Sequence, residues 1–339
     1  MKRILVSLLS KYLQPSFLFI KEMEGKYDQL LFVTTREMED TKTQSSHYLD
    51  MALGNAEPTQ KIIVRADDYS DIQEKLNSYE FSAGDTFIVN PTGGTKVMAI
   101  AVFEFFRQFE NSQFYYIPEG KNEVGKLYSS EPSVPLKYRL NLKEYFTLNR
   151  LSFECQPGTM RNKVAADGVF EKLRRNRFNR YNVPEIKGAQ FLPSNEDKVY
   201  YSGQWLEEYV YYKMKTDFRL PDDCICQGAK IYREGIDRNN NEIDVMFVYN
   251  NMLYIIECKL SLIKYGKDSV KPTWDGYMYK LAAIAKDFGL RVNSYIMTLH
   301  RQDNDLLGIK ENAVQRMRIL GIKNTFFAED FAKGRLNMY

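Results

Sequence analysis

The first 118 residues alternate between short apolar runs and longer amphipathic stretches. The short runs are rich in β-branched and aromatic residues, which favour strands. They are ILVSLL (4–9), LLFVTT (30–35), KIIV (61–64), TFIVN (86–90) and QFYYIP (113–118). SSHYLDMAL, YSDIQEKLNSY and VMAIAVFEFFRQF between them have the spacing of helices. This alternation predicts a parallel Rossmann-like α/β sheet with helices on both faces. VGKLYSS and LKYRLN, which follow it, predict a small closing hairpin.

The alternation stops between about residues 146 and 200. There TMRNKVAADGVFEKLRRNRFNRYN predicts a basic amphipathic helix, with seven basic and two acidic residues between positions 160 and 180. The basic residues are Arg161, Lys163, Lys172, Arg174, Arg175, Arg177 and Arg180. Such a helix is either a solvated linker or a patch that contacts phosphates. The turn-rich VPEIKGAQFLPSNEDK predicts a boundary after it.

A different order of elements begins at GQWLEEYVYYKMK, which predicts a helix. The next segments predict strands at about 224–232, 242–249 and 252–259. A helix in YMYKLAAIAKDFG, a strand in VNSYIMTL, a helix in ENAVQRMRILG and a short strand NTFFA come after them. This α-β-β-β-α-β order predicts a mixed sheet in a second domain. We therefore expect one domain at 1–145, a basic helical linker at 146–200 and a second domain at 201–339.

Three carboxylates and one ammonium group interrupt the apolar stretch NEIDVMFVYNNMLYIIECKL. Asn250 and Asn251 separate its two predicted strands, and asparagine tolerates the left-handed conformation of tight hairpin turns. A two-residue loop places Tyr249 opposite Met252, so every facing pair of residue numbers has the same sum. The facing pairs then include Asp244 with Glu257, and Glu242 with Lys259. The side-chain period of a strand is two, so all four side chains share one face of the hairpin.

Two like charges that face each other destabilise a half-buried sheet, because repulsion adds to the cost of desolvation. A divalent cation removes this conflict, and oxygen ligands at such spacing suit Mg²⁺ or Mn²⁺. Lys259 lies two residues beyond Glu257, from where it can contact a phosphate or a metal-bound water. The alternative is a surface hairpin with a solvated charged face. The apolar residues around the acids, DVMFVY and LYIIE, argue against an open face.

Composition narrows the classes of function. The net charge of +3 is mildly basic, which permits a nucleic-acid partner without requiring one. Four scattered cysteines do not make a disulfide framework, so we expect reduced thiols and a cytoplasmic protein. No apolar run reaches the roughly 18 to 20 residues of a membrane helix. With only His47 and His300 in the chain, histidine-based nucleophile triads are excluded. Cys224-x-Cys226 lacks a second pair of zinc ligands and predicts two core-facing strand cysteines.

The segment TFIVNPTGGTKVMAIAVFEFF predicts a strand, a tight loop and a helix. Gly93 and Gly94 allow backbone N–H groups to approach a ligand closely. The helix that starts near Thr95 offers unpaired N–H groups, and Lys96 adds a positive charge. The order Gly-Gly-Thr-Lys is neither a Walker A loop nor GxGxxG, so it indicates no ATPase and no NAD site. The loop is therefore either an anion cradle or a plain strand-to-helix turn.

The acidic residue, hairpin and Glu-x-Lys of the second domain resemble the core of the PD-(D/E)xK nucleases, which include restriction enzymes and archaeal Holliday-junction resolvases. Ile243 stands where the proline of that motif can stand. GQWLEEYV resembles the first helix of the superfamily, which often supplies a further carboxylate. The resemblance assigns this role to Glu207, with the adjacent Glu208 left open. It covers about residues 203 to 300, and it implies Asp244, Glu257 and Glu207 as metal ligands, with Lys259 as a further catalytic residue.

The glycine loop and the first domain together resemble the CARF domain, the sensor of cyclic oligoadenylates in type III CRISPR defence. Two segments contact the ligand in that family, and they correspond here to SLLSKYLQPS and NPTGGTK. The residues carried over by position are Ser10, Gln14, Asn90, Thr92, Gly93, Gly94, Thr95 and Lys96. The first segment is the less specific of the two.

A CARF domain before a PD-(D/E)xK domain resembles the CRISPR ancillary nucleases that cyclic tetra-adenylate activates. The resemblance implies an antiviral endonuclease that uses Mn²⁺ or Mg²⁺ to hydrolyse DNA, RNA or both. The pseudo-symmetric activator is larger than one loop can hold, so we expect a homodimer with the ligand on its two-fold axis. The HEPN ribonuclease class is excluded, because no arginine stands at the required spacing before either histidine. A ligand-responsive DNA-binding regulator without catalysis stays open, although it would not need Asp244 opposite Glu257.

Overall fold

The computed structural model describes residues 1–118, 121–233, 242–265, 270–272, 274–286, 288–289, 292–300, 309–331, 333 and 336–338. The chain divides into two compact units. The first comprises Met1–Leu140 and Glu144–Leu151, and the second Asn141–Lys143 and Ser152–Tyr339. Among the described residues, no helix has the length and apolar character needed to cross a bilayer.

The first unit is built on a seven-stranded sheet in the order β3-β2-β1-β4-β5-β6-β7. Its strands are β1 (Arg3–Leu8), β2 (Gln29–Thr35), β3 (Gln60–Val64), β4 (Thr86–Asn90), β5 (Ser112–Tyr116), β6 (Glu123–Lys126) and β7 (Val134–Pro135). Its helices are α1 (Gln14–Glu22), α2 (Ser45–Leu53), α3 (Tyr69–Asn77), α4 (Lys96–Phe106) and α5 (Leu142–Leu148). Strands β1 to β5 pair in parallel, and β6 and β7 close the sheet antiparallel.

These elements confirm the predicted Rossmann-like α/β order of the first domain. The core forms because the apolar strand residues pack against the inner faces of α3 and α4, with Val6, Val33, Phe87, Ile72 and Phe106 all buried. The predicted closing hairpin exists, but its second strand is Val134–Pro135 rather than LKYRLN. Proline lacks an N–H group and is suited to such an edge position.

The second unit contains a six-stranded mixed sheet in the order β15-β14-β11-β10-β9-β8. Its strands are β8 (Leu151–Cys155), β9 (Ile225–Arg233), β10 (Glu242–Tyr249), β11 (Met252–Lys259), β14 (Val292–Thr298) and β15 (Asn324–Phe326), with β12 (Ile263–Tyr265) and β13 (Val270–Pro272) as a separate pair. Its helices are α6 (Lys163–Arg175), α7 (Pro184–Lys187), α8 (Asn195–Val199), α9 (Trp205–Asp217), α10 (Trp274–Ala285), α11 (Ile309–Leu320) and α12 (Ala328–Phe331). The order of α9, β9, β10, β11, α10 and β14 confirms the predicted mixed sheet.

The hairpin of β10 and β11 has the predicted register. Tyr249 pairs with Met252, and Val245 pairs with Ile256. Asn250 and Asn251 both have positive φ, at 49° and 61°, as a two-residue turn of type I′ requires. Val245 and Ile256 belong to the buried core that also includes Leu206 and Val210 of α9. The face that carries Asp244 and Glu257 is therefore the opposite one.

The basic segment forms helix α6, as predicted, but much of its charge is neutralised. Lys163 pairs with Asp167, Arg174 with Glu171, Lys172 with Glu185, and Arg161 with Asp197. The inner face of the helix is apolar and includes Phe170 and Leu173. This helix packs in the core of the second unit, and its ion pairs leave less charge free to contact phosphates. The side chain of Arg180 lies outside the described residues.

The expectation that all the cysteines are reduced is wrong for one pair. Cys155 of β8 and Cys226 of β9 form a disulfide that links two residues 71 positions apart in the chain. Cys224 and Cys258 are buried and lie outside this disulfide. Cys224 ends a short 3₁₀ turn instead of lying in a strand as predicted. Neighbouring strands bring cysteines together that are distant in sequence, so their spacing gave no sign of the pairing.

Candidate functional site

The facing carboxylates of the hairpin are buried in the second unit. Asp244 is 8% exposed and Glu257 is 3% exposed. The ordered backbone pairing of β10 with β11 reaches Val245 and Ile256, and Asp244 and Glu257 are the next residues outward. Asp244 Oδ2 accepts a hydrogen bond from the backbone N–H of Cys258, with 2.6 Å between the heavy atoms. This bond fixes one oxygen of the carboxylate at the end of the ladder.

Lys259 joins the two carboxylates. Its Nζ lies 2.7 Å from Glu257 Oε1 and 3.2 Å from Asp244 Oδ2. Burial alone would lower the pKa of Lys259, but the charges of Asp244 and Glu257 outweigh burial and raise it. Burial and the charge of Glu257 raise the pKa of Asp244 to about 6. The ammonium group therefore compensates only part of the negative charge that the hairpin concentrates here.

The two adjacent glutamates of α9 have different surroundings. Burial, followed by the charge of Asp244, raises the pKa of Glu207 to about 8, with Lys259 acting in the opposite direction. Glu207 therefore belongs electrostatically to the carboxylate group of the hairpin. Glu208 is fully buried elsewhere: its carboxylate accepts from the backbone N–H of Arg161 at 3.0 Å and from the Tyr200 hydroxyl at 2.9 Å. These surroundings favour Glu207 over Glu208 as the helix carboxylate of the site, and that assignment stays a prediction.

Helix α10 contributes two further side chains on the same face of the sheet. Lys280 Nζ lies 3.6 Å from Glu257 Oε2 and donates a hydrogen bond of 3.1 Å to the backbone carbonyl of Glu242. The ring centroid of Tyr277 is 5.1 Å from Lys259 Nζ. The sequence analysis did not identify either residue. The available signal was their spacing of three in a helix that directly follows the Glu-x-Lys strand, which places both on one helical face.

The donor set fits a hard divalent cation. Carboxylate oxygens are the ligands of Mg²⁺ and Mn²⁺, and the raised pKa values of Glu207 and Asp244 are those of acids that lack sufficient positive charge nearby. The described part of the chain holds no preassembled group of three or more His, Cys, Asp or Glu side chains. Lys259 lies against both hairpin carboxylates instead. The metal ligands Asp244, Glu257 and Glu207 therefore remain a prediction.

In the first unit, the fold brings the two predicted ligand segments together. Strands β1 and β4 are neighbours, with Ser7 opposite Asn90, so the loops after them leave the same edge of the sheet. Gly93 has φ of 117°, and a Cβ atom there would lie 3.0 Å from Leu8 O and 3.6 Å from Ser10 Oγ. Glycine is thus required both by conformation and by the close approach of the first loop.

Several of the predicted sensor residues hold the loop together. Asn90 is fully buried, and its Oδ1 accepts from Thr92 N at 3.0 Å. Thr92 Oγ1 accepts from Ile117 N, while Thr95 caps α4 through Met98 N and donates to Ala66 O. These hydroxyl and amide groups shape the loop, and their predicted contacts with a ligand stay predictions. Lys96 is exposed at the first turn of α4, Gly93 and Gly94 carry the turn, and Ser10 and Gln14 lie in the first segment.

Solved structures of low sequence identity share this fold. Protein VC1899 from Vibrio cholerae has a TM-score of 0.77 at 16% identity, with 98% of this chain and 95% of that chain covered. Can2 from Sulfobacillus thermosulfidooxidans, solved in complex with cyclic tetra-adenylate, has a TM-score of 0.70 at 17% identity, with coverage of 95% and 92%. A type III CRISPR defence DNA nuclease activated by cyclic oligoadenylate gives 0.58 at 15% identity, and this chain covers 46% of its length.

Family models match both halves of the sequence. The model of the Card1 CARF domain matches residues 4–145, and the model of the Card1-like endonuclease domain matches residues 194–332. No curated protein sequence matches the chain. The two matches confirm the CARF domain and the endonuclease domain that the sequence motifs predicted. Through both domains, the chain belongs to the family of CARF proteins with a Card1-like endonuclease domain.

Proposed function

We propose that this protein is a metal-dependent endonuclease that hydrolyses phosphodiester bonds of DNA, RNA or both, and that cyclic tetra-adenylate activates it. The proposal rests chiefly on one observation: Asp244 and Glu257 lie together on a buried hairpin face, and both contact the ammonium group of Lys259. A purely structural hairpin would not concentrate this charge in a place where desolvation makes it costly. The endonuclease family match and the Can2 complex with cyclic tetra-adenylate support the same conclusion.

In the proposed mechanism, Asp244, Glu257 and Glu207 would hold Mn²⁺ or Mg²⁺. When bound, such a cation supplies a water of lowered pKa and a Lewis acid for the phosphate. The backbone N–H of Cys258 keeps the carboxylate of Asp244 oriented. Lys259, which lies against both hairpin carboxylates, would position the nucleophile or stabilise the negative charge that develops on the phosphate.

The proposed sensor is the loop edge of the first unit. Gly93 and Gly94 expose backbone N–H groups, and the N-terminus of α4 favours negative charge. Lys96 adds a cation at that terminus. A cyclic oligoadenylate presents one phosphate per nucleotide around a ring, which exceeds what one such loop can bind. We therefore place the ligand on the two-fold axis of a homodimer, where two copies of the loop meet.

A cleavage assay tests this function. Purified protein is incubated with fluorescent single- and double-stranded DNA and RNA, with Mn²⁺, and with or without cyclic tetra-adenylate. We expect cutting that requires both additions, disappears in EDTA, and is lost in Glu257→Ala and Asp244→Ala while ligand binding persists. Full activity in either variant, or activity in EDTA, would refute the nuclease assignment. Ligand-dependent binding of nucleic acid without any cutting would instead identify a regulator.

A further inference from the structure

Helix α10 covers the catalytic face of the hairpin and presents two functional groups to it. Tyr277 and Lys280 are three residues apart and so occupy one helical face. Their buried neighbours Met278 and Leu281 anchor the helix in the core. The Tyr277 ring lies near Lys259 and the Lys280 ammonium near Glu257. The position of Lys280 is therefore set by a packed helix rather than by a free surface loop.

The contacts of Lys280 differ from those of Lys259. Lys259 is within hydrogen-bond distance of both hairpin carboxylates, whereas Lys280 Nζ stays 3.6 Å from Glu257 Oε2, beyond that distance. Lys280 Nζ instead donates a hydrogen bond to the backbone carbonyl of Glu242, at the outer end of β10. Its side chain is 37% exposed, against 23% for Lys259. Lys280 thus lies at the rim of the carboxylate cluster with its charge accessible to solvent.

The balance of charges in the site shows what the ammonium group of Lys280 contributes. Glu207, Asp244, Glu257 and the exposed Glu242 carry four negative charges when ionised, and Lys259 and Lys280 carry two positive charges. One divalent cation then makes the group neutral. Without Lys280 the metal-loaded site would keep a net negative charge, and it would repel a phosphodiester at close range. The carboxylate group therefore needs a second ammonium at its rim to accept a polyanion.

We propose that Lys280 is a substrate-binding residue that contacts a nucleic-acid phosphate at the rim of the site. This inference rests on the proposed nuclease function. A metal ion held by Glu257 would compete with the two ammonium groups for its carboxylate, and it would weaken the attraction between Glu257 and Lys280. The ammonium group, still held near the rim by the Glu242 carbonyl, then becomes available to a phosphate oxygen as a charge-assisted hydrogen-bond donor.

The test compares Lys280→Ala with Lys280→Arg and with a matched control, Lys286→Ala. Lys286 is an exposed lysine just beyond the end of α10, and within the described residues it has no ion pair with the carboxylate cluster. Cleavage of one defined substrate is measured with saturating Mn²⁺ and activator, at several salt concentrations. Mn²⁺ affinity is measured separately by calorimetry, so that one readout does not depend on activity.

We expect Lys280→Ala to raise KM about tenfold to a hundredfold with little change in kcat, as loss of one charge-assisted contact implies. The slope of log affinity against log salt should fall by about one. Lys280→Arg should keep both KM and the salt slope close to the wild-type values. The Mn²⁺ affinity of Lys280→Ala should be equal to or higher than that of the wild type. A merely structural role would lower thermal stability without moving the salt slope.

Two results would overturn the inference while leaving the nuclease intact. One is an active wild type whose KM and salt slope are the same in Lys280→Ala and Lys286→Ala. The other is a Lys280→Ala variant with unchanged KM that cuts in the absence of activator, which would show that Lys280 inhibits the resting enzyme. Failure of the wild type to cut any substrate with either metal would refute the proposed function itself, and the inference with it.

Discussion

The carboxylate of Asp244 and the backbone N–H of Cys258 are joined by a hydrogen bond of 2.6 Å between Oδ2 and N. Asp244 is the first residue beyond the ordered pairing of β10 with β11, so a side chain satisfies the backbone group there. A buried N–H must find a partner, and here that requirement also orients an acid. Strand β11 carries Glu257 and Lys259 on either side of Cys258. The side chains of Asp244, Glu257 and Lys259 therefore gather around one short segment of backbone.

Replacing each of the two adjacent acids of α9 by alanine should lower catalysis in one variant and stability in the other. We expect Glu207→Ala to lower cleavage at least about a hundredfold, because even outer partners of metal ligands cost about ten- to a hundredfold. Glu208→Ala should instead destabilise the fold by about 1 to 3 kcal/mol, since the N–H of Arg161 and the hydroxyl of Tyr200 lose their acceptor. Cleavage rates and chemical denaturation of both variants check this. Normal cutting by Glu207→Ala, with loss in a folded Glu208→Ala, would assign the role to Glu208.

The metal-free protein should become less stable as the pH rises. The pKa values of Glu207 and Asp244 are raised to about 8 and about 6, so the folded state favours their protonated forms. The stability that this provides is complete below about pH 4 and is lost as the pH rises to about 8. In EDTA, Glu207→Gln should lose less thermal stability between pH 6 and pH 8 than the wild type does.

Added Mn²⁺ should restore the stability that the metal-free protein loses as the pH rises. The cation binds the ionised carboxylates, so its affinity grows with pH, and binding to the folded state raises the melting temperature. We expect a larger increase at pH 8 than at pH 6 in the wild type, and a much smaller one in Glu257→Gln. Glu196→Gln, which changes an exposed acid of α8 outside the carboxylate cluster, is the control and should behave like the wild type. Identical profiles of thermal stability against pH for the wild type and Glu207→Gln in EDTA would show that Glu207 does not interact with the carboxylate cluster.

The hairpin was predictable because its geometry is local. A strand period of two and a two-residue turn fix which residues face each other, and Asn250 and Asn251 have the positive φ values that this turn needs. The contribution of α10 was not predictable in this way, because the contact between Lys280 and Glu257 depends on how a helix packs on a sheet. The same holds for Cys155 and Cys226, which meet only through the pairing of distant strands. In the predicted sensor loop, the family resemblance assigned Asn90 and Lys96 alike, and it could not show that Asn90 is buried while Lys96 is exposed.

Reduction of the disulfide should weaken the second unit. Cys155 and Cys226 tie the edge strand β8 to β9, and a native disulfide typically contributes about 2 to 4 kcal/mol by restricting the unfolded chain. We expect Cys226→Ser to lower the melting temperature under oxidising conditions and to abolish the effect of added dithiothreitol. Cys224→Ser, which removes a buried thiol outside the disulfide, should retain that effect. An equal response to dithiothreitol in wild type and Cys226→Ser would show that no such bond forms in solution.

Lys96→Ala should weaken activation without damaging the nuclease site. Lys96 is exposed at the first turn of α4, beside the glycine loop, and every nucleotide of the proposed activator carries a negative charge. Loss of one charge-assisted contact costs about 1.5 to 3 kcal/mol, which corresponds to about one to two decades in affinity at ~1.4 kcal/mol per decade. In a symmetric dimer the same ligand loses the contact twice.

The expected signature is a shifted midpoint with a preserved plateau. The nuclease residues are unchanged in Lys96→Ala, so saturating cyclic tetra-adenylate should restore most of the cutting rate, as linkage between two distinct sites requires. Lys75→Ala, which removes an exposed lysine from α3 of the same unit, is the matched control and should keep the wild-type midpoint. Titration of the activator in a fluorescent cleavage assay measures both quantities. Equal midpoints in all three proteins would show that Lys96 does not contact the activator. Strong cutting by the wild type without activator would contradict activation by the ligand, because a constitutively active site leaves the ligand no equilibrium to shift.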